Sequence, residues 1–307
     1  MTVDILELVL ITILTSATPL LIAAIGELVT ERAGVLNLGV EGMMIVGAAV
    51  GFLTAYLSDS TLVGALAGIA AGMAMSLLFA LLVLGLATNQ VAAGLALTIL
   101  GLGVSGLAGA SFVGLKRERA AQLHIPGLSD LPLVGKLVFG EDYFVYAALA
   151  LVIGNAYFLN RTRAGLALRA IGDNHTSAHA LGLKVKRVRL LAILFGGGCA
   201  GLAGAYLSLA YTPFWSPGMT AGRGWIALAL VVFSSWRPWR AVAGALVFGG
   251  ATVIQLHTQA LGFGIPSQIL SAVPYLATVL ALVLLALYDR RGSAAPASLG
   301  APFFADR

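Results

Sequence analysis

Five polar side chains stand in or beside long apolar runs: Asn37, Glu41, Asn89, Gln90 and Thr98. Carboxylates, amides and hydroxyls at membrane depth are costly, and they face a cavity or the interior of a helix bundle. Their types suit hydrogen bonding to the hydroxyls or amides of an uncharged solute. Glu41 is also the one good candidate for a buried carboxylate that titrates, which ion-coupled transport would need. Glycines at 34, 39, 42 and 47 surround it, and Gly-rich backbone permits a helix break at a solute site. Each residue also has a plainer reading. Glu27, Glu31 and Arg32 then form an aqueous turn, Asn37 an interhelical hydrogen bond, and Asn89, Gln90 and Thr98 caps or interhelical glue.

A second set of residues lies in the long polar segment 161–189. It holds seven of the eighteen basic residues (Arg161, Arg163, Arg169, Lys184, Lys186, Arg187 and Arg189), opposed by Asp173. Gly165 lets the chain turn, and residues 166–170 favour helix. Gly172 interrupts that helix and Asp173 or Asn174 caps a new start. Gly182 ends the second piece in a left-handed conformation. The punctuation predicts a short rigid element, with small Ala178 and Ala180, able to enter a groove on a partner. The alternative is a solvated basic loop with no partner.

Several chemistries lack their residues. The one Gly-Lys pair, Gly135–Lys136, has neither the upstream glycine nor the Ser/Thr of a phosphate-cradling loop, so ATP is not expected on this chain. No H-E-x-x-H occurs. His124, His175, His179 and His257 are scattered, so no metal or catalytic set is expected. The single Cys199 sits in an apolar run and excludes an intrachain disulfide. No cofactor is expected to bind this chain.

These residues must be positioned by membrane helices. Of 307 residues 59% are hydrophobic and 10% charged, against about 25% charged in an ordinary soluble domain. Mean hydropathy is +0.97. The reading is an all-α polytopic membrane protein. Nine spans are expected, near 5–26, 34–57, 61–87, 90–115, 143–160, 190–211, 225–236, 241–257 and 268–288, from the ~20 residues a crossing requires. The seventh is short and reads as broken or re-entrant. No cleavable signal peptide is expected, since Asp4 and Glu7 replace a basic leader. The transmembrane domain covers 1–291, and the tail 292–307 reads as disordered.

Charge asymmetry sets the expected orientation. With 161–189 inside, thirteen basic residues lie inside, and Lys116, Arg117, Arg119, Lys136 and Arg223 lie outside. The N-terminus is then outside and the C-terminus cytoplasmic. The net charge of +5 reflects this bias rather than nucleic-acid binding. Residues 116–142 read as an ordered outer loop. The segment 211–225, with Pro213, Pro217 and several glycines, cannot be one helix.

Three stretches, ERAGVLNLGVEGMM at 31–44, LRAIGDNHTSAHALGL at 168–183 and SPGMTAGRGWIALALVVFSSWRPW at 216–239, resemble the inner-membrane permeases of ABC importers. The group is that of branched-chain amino acids, ribose and nucleosides, and the likeness is closest to the nucleoside and simple-sugar permeases. The second stretch resembles the family's cytoplasmic coupling segment, RAxGxNPxAAxxxGI. Arg169, Gly172, Asn174 and Gly182 match it, while His175 replaces the usual Pro and His179 a common acidic residue. The resemblance implies a subunit that couples to a partner ATPase through Gly165, Arg169, Gly172, Asn174 and Gly182. It also implies a second permease subunit, identical or different, an extracytoplasmic solute-binding protein, and a bacterial plasma membrane. ATP would be bound and hydrolysed on the partner. A branched-chain amino acid permease, an ion-coupled transporter and a passive channel are the competing readings.

Overall fold

A computed structural model of the chain describes residues 2–123, 134–260 and 295–304, with scattered helical positions between 269 and 287. Among these residues the fold is helical. Its contacts between extended segments are isolated bridges, such as Val113 with Trp215 and Lys116 with Phe214. The helices are α1 (Thr2–Arg32), α2 (Val40–Ser58), α3 (Thr61–Ala80), α4 (Gln90–Gly109), α5 (Val134–Phe139), α6 (Tyr143–Arg161), α7 (Arg163–Asp173), α8 (His175–Ala180), α9 (Val185–Tyr206), α10 (Arg223–Phe233) and α11 (Pro238–Ala260). Among the described residues seven segments are long and apolar enough to cross a membrane: Leu6–Arg32, Val40–Ser58, Thr61–Gly85, Gln90–Phe112, Tyr143–Arg161, Val185–Tyr211 and Pro238–Gln259.

The short seventh span is α10, 11 residues long. At 1.5 Å per residue it covers roughly half of a ~30 Å hydrocarbon core. The chain reaches it through the irregular segment 212–222, where Pro213 and Pro217 prevent a continuous helix. The predicted ninth span, 268–288, lies largely outside the described residues.

Polar side chains mark the helix starts. Ser60, Asn89, Asp142, Thr162 and Asn174 accept backbone N–H groups at the starts of α3, α4, α6, α7 and α8. The centre of the bundle is a seam between α2, α3 and α9 in which glycine replaces side chains. A Cβ placed on Gly47 would stand 2.5 Å from the Gly201 Cα, and one on Gly72 would stand 2.8 Å from it. Small residues let backbones approach in this way where lipid supplies no hydrophobic drive between helices. The apolar core surrounding the seam includes Leu28, Met43, Met44, Phe79 and Ile193.

The expected disorder of the tail is corrected over 295–304. Pro296 and Ser298 are buried, Leu299 packs against the main core, and Phe303 packs against a small core of Ile171, Ala178 and Val185 beneath α7 and α8. Two apolar anchors, Leu299 and Phe303, overcome a composition that otherwise reads as unstructured.

Candidate functional site

The connector between α1 and α2, residues 33–39, is irregular backbone enclosed by protein. Buried polar backbone must be paired, and side chains from three directions supply the partners. The Leu36 N–H donates to Gln90 Oε1 at 2.8 Å, and the Asn37 N–H to Glu27 Oε1 at 3.1 Å. The Thr98 hydroxyl donates to the Leu38 carbonyl at 3.0 Å, and the Gly39 N–H to Asn37 Oδ1 at 3.0 Å. Asn37, Gln90 and Thr98 are buried, and they converge on this one connector. Asn89 does not join them. It is exposed, and its side chain accepts the Ala92 N–H as the α4 cap. Two atoms beside the connector, Glu27 Oε2 and Gln90 Nε2, are buried without a hydrogen-bond partner among the described residues.

Glu41, 4% exposed, begins α2 and faces the start of α10. Its Oε1 accepts the Thr220 hydroxyl at 2.6 Å and the Gly222 N–H at 2.9 Å. Its Oε2 accepts the Gly224 N–H at 2.6 Å. The carboxylate therefore occupies the positive N-terminal end of a half-helix, where free N–H groups favour an anion. The other end of α10 is held by the last turn of α1. The Trp236 indole N–H donates to Glu31 Oε2 at 2.6 Å, and Arg32 Nη2 donates to the Trp236 carbonyl at 3.2 Å. Ser235 and Trp236 both have positive φ, 51° and 54°, a strained turn that these contacts fix in place. The two stretches 31–44 and 216–239 thus meet in space at both ends of α10.

The segment 161–189 folds as a helix pair. Gly172 does not interrupt α7 as the sequence reading expected; it is buried, and a Cβ there would collide with the Arg32 carbonyl. The break falls at Asn174, whose side chain accepts the Ser177 N–H at 2.9 Å and starts α8. Gly182, at φ +84°, ends it left-handed. Gly165 lets α7 close on the end of α6, since a Cβ there would strike the Phe158 carbonyl. Arg169 is half-buried, and its Nε has no hydrogen-bond partner among the described residues. Leu166 and Leu181 project outward, the latter 83% exposed, among exposed Arg163, Lys184, Lys186 and Arg187.

Sequence reasoning missed the part played by Arg189. It is buried in α9, donating from Nε to the Ala33 carbonyl at 3.1 Å and from Nη1 to the Ala301 carbonyl at 3.1 Å; its Nη2 lies 3.3 Å from His175 Nδ1. Burial and this guanidinium hold His175 below the usual histidine range. As the last of the basic residues in 161–189 it reads as one more solvated charge, and no local signal sets it apart. The two histidines that depart from the coupling pattern both meet the tail, each edge-on to the Phe303 ring, at 5.4 Å for His175 and 5.3 Å for His179.

Comparison with known proteins places this architecture. The family model described as branched-chain amino acid transport system / permease component matches residues 9–288. The chain belongs to this permease family. A Haloferax volcanii protein provisionally named a glucose ABC transporter permease is 42% identical over 289 residues, covering 87% of this chain and 88% of its own. The guanosine ABC transporter permease of Bacillus subtilis is 32% identical over 294 residues, covering 91% and 92%. The nucleoside ABC transporter permease of Lactococcus lactis is 32% identical over 303 residues, covering 92% and 93%. The permease is a multi-pass membrane protein with a transport role, and its relatives are those of the nucleoside and simple-sugar group expected from the three stretches.

Proposed function

We propose that this permease is the membrane half of an ABC importer for nucleosides or related simple sugars, driven by ATP hydrolysis on a partner subunit. One observation carries the reading: α7 rests on the same short stretch of chain that holds both ends of α10. Gly172 packs on the Arg32 carbonyl, Arg32 and Glu31 hold Trp236, and Glu41 holds Thr220, Gly222 and Gly224. Force applied to α7 and α8 through Gly165, Arg169, Gly172, Asn174 and Gly182 is transmitted through the connector to the half-helix. ATP binding on the partner supplies the difference in affinity between two states that such a shift requires.

In this reading α7 and α8 face the cytoplasm of a bacterial plasma membrane, with the N-terminus outside. A second permease subunit, identical or different, completes the pathway, and an extracytoplasmic binding protein delivers the solute. The pathway passes the connector, where Asn37, Glu41, Gln90 and Thr98 shape the wall and Asn89 fixes the start of α4. The unpartnered Glu27 Oε2 and Gln90 Nε2 are buried beside the connector, and a shift that uncovered them would offer a polar solute an acceptor and a donor.

The test is uptake into vesicles holding this chain with its ATPase, second permease and binding protein. Radiolabelled guanosine, glucose and leucine are compared. ATP-dependent accumulation of the nucleoside or sugar is expected. Accumulation of leucine alone would move the protein to the amino-acid branch. Uphill uptake by this chain without nucleotide would make it ion-coupled.

A further inference from the structure

The residues 295–304 pack where the proposed docking segment is anchored. The Ser298 N–H donates to the Gly172 carbonyl at 2.8 Å, and the His175 N–H lies 3.4 Å from Ser298 Oγ. The Ala301 carbonyl accepts from Arg189, whose Nε holds Ala33 in the connector. Phe303 fills the small core beneath α8, in contact with both histidine rings. The tail therefore touches the last residues of α7, the first turn of α8 and, through one guanidinium, the connector. Its next residue, Phe304, is 68% exposed.

We propose that residues 295–304 form a second, non-contiguous part of the surface on which this permease meets its ATPase, with Arg189 positioning the tail and α8 relative to each other. The proposal rests on the docking reading above. Its occupant is chosen by continuity and charge. Phe304 extends from the strap that backs α8, and α7, α8 and the residues after them expose Leu166 and Leu181 with Arg163, Lys184, Lys186 and Arg187 around them. Such a face fits an apolar cleft with an acidic rim, a partner of opposite charge in the same aqueous layer. A strap held by these hydrogen bonds also presents Phe304 without a large ordering cost on binding.

Photo-crosslinking in the assembled transporter tests it. A benzoyl-phenylalanine probe is placed singly at Phe304, at Leu181 and at Leu107, which is 83% exposed on the apolar α4. Crosslinks to the co-expressed ATPase from both Phe304 and Leu181, and none from Leu107, are expected. Leu181 linking while Phe304 does not would overturn the proposal and leave docking by α8 intact. Failure of both would overturn the docking reading and this proposal with it. Phe304 linking to a second copy of the chain instead would overturn it as well. In parallel, Phe304→Ser, which spares the packed Leu299 and Phe303, should weaken ATPase retention about tenfold, a difference within reach of a titration, while the thermal unfolding of the bundle holds. Undiminished retention would overturn the proposal.

Discussion

The carboxylate of Glu41 lies 2.6 Å from the backbone N–H of Gly224, 183 residues away in the chain, and both groups are buried. The first turn of α2 and the first turn of α10 are joined head to head through it. A carboxylate is the natural partner, because three donors converge there and none is shared with an acceptor of the α10 backbone.

Substituting this carboxylate should be severe. Glu41→Gln retains the shape but aims an NH₂ at a cluster of donors, and Glu41→Ala leaves the amides of Gly222 and Gly224 without an acceptor. A cost of about 3 kcal/mol is expected for either, in the range for breaking a buried charge-assisted set. Thermal unfolding in detergent measures it. Loss of transport with ATPase retention intact would separate this site from the proposed docking helices.

Gly172→Ala and Gly182→Ala should differ in size and kind. At Gly172 a methyl meets the Arg32 backbone, so overpacking of about 1–3 kcal/mol is expected, with uptake impaired. At Gly182 nothing lies within 4 Å, and the cost of about 1 kcal/mol comes from the left-handed backbone. Unfolding midpoints of the two variants, measured side by side, decide the order.

Asn174→Ala removes the α8 cap. The expected loss is about 1 kcal/mol of local helix stability, read as roughly fivefold weaker ATPase retention. Asn174→Asp or Asn174→Ser should restore most of it, because either still accepts the Ser177 N–H.

Glu141 gives a pH dependence at the opposite end of the bundle. Its carboxyl is buried beside Asp142, and burial chiefly pushes it from 4.5 up to about 7. Asp142, the α6 cap, is raised by burial too. Because the folded state favours the protonated Glu141, its contribution to stability is fully present below about pH 4.5 and is lost as pH rises through about 7. Glu141→Gln should therefore match the parent at pH 5 and unfold at a higher temperature than it at pH 8. Parallel melting curves across that range would refute the buried-carboxyl account.

Local signals were readable in the sequence and distant pairings were not. Apolar runs located the seven long spans, and the proline-broken approach to 225–236 anticipated a short helix. Asn174 and Gly182 were legible as punctuation because a cap and a left-handed stop act over a few residues. Gly172 was misread as a break, because a glycine required for close approach and one that ends a helix look alike in a string. Glu41 was singled out for its cost in an apolar run, but its partners sit near position 220 and no local pattern links the two. The tail was misjudged for the same reason: Leu299 and Phe303 acquire meaning only beside Ile171, Val185 and the core they reach.

The glycine seam between α2, α3 and α9 leaves no side chains for these helices to roll over. Gly47, Gly72 and Gly201 bring main chain against main chain, and sliding one past another would drive carbonyls into α-carbons. The three helices form a keel. A relative shift of these helices would first require their main chains to part, so the three are held as one unit.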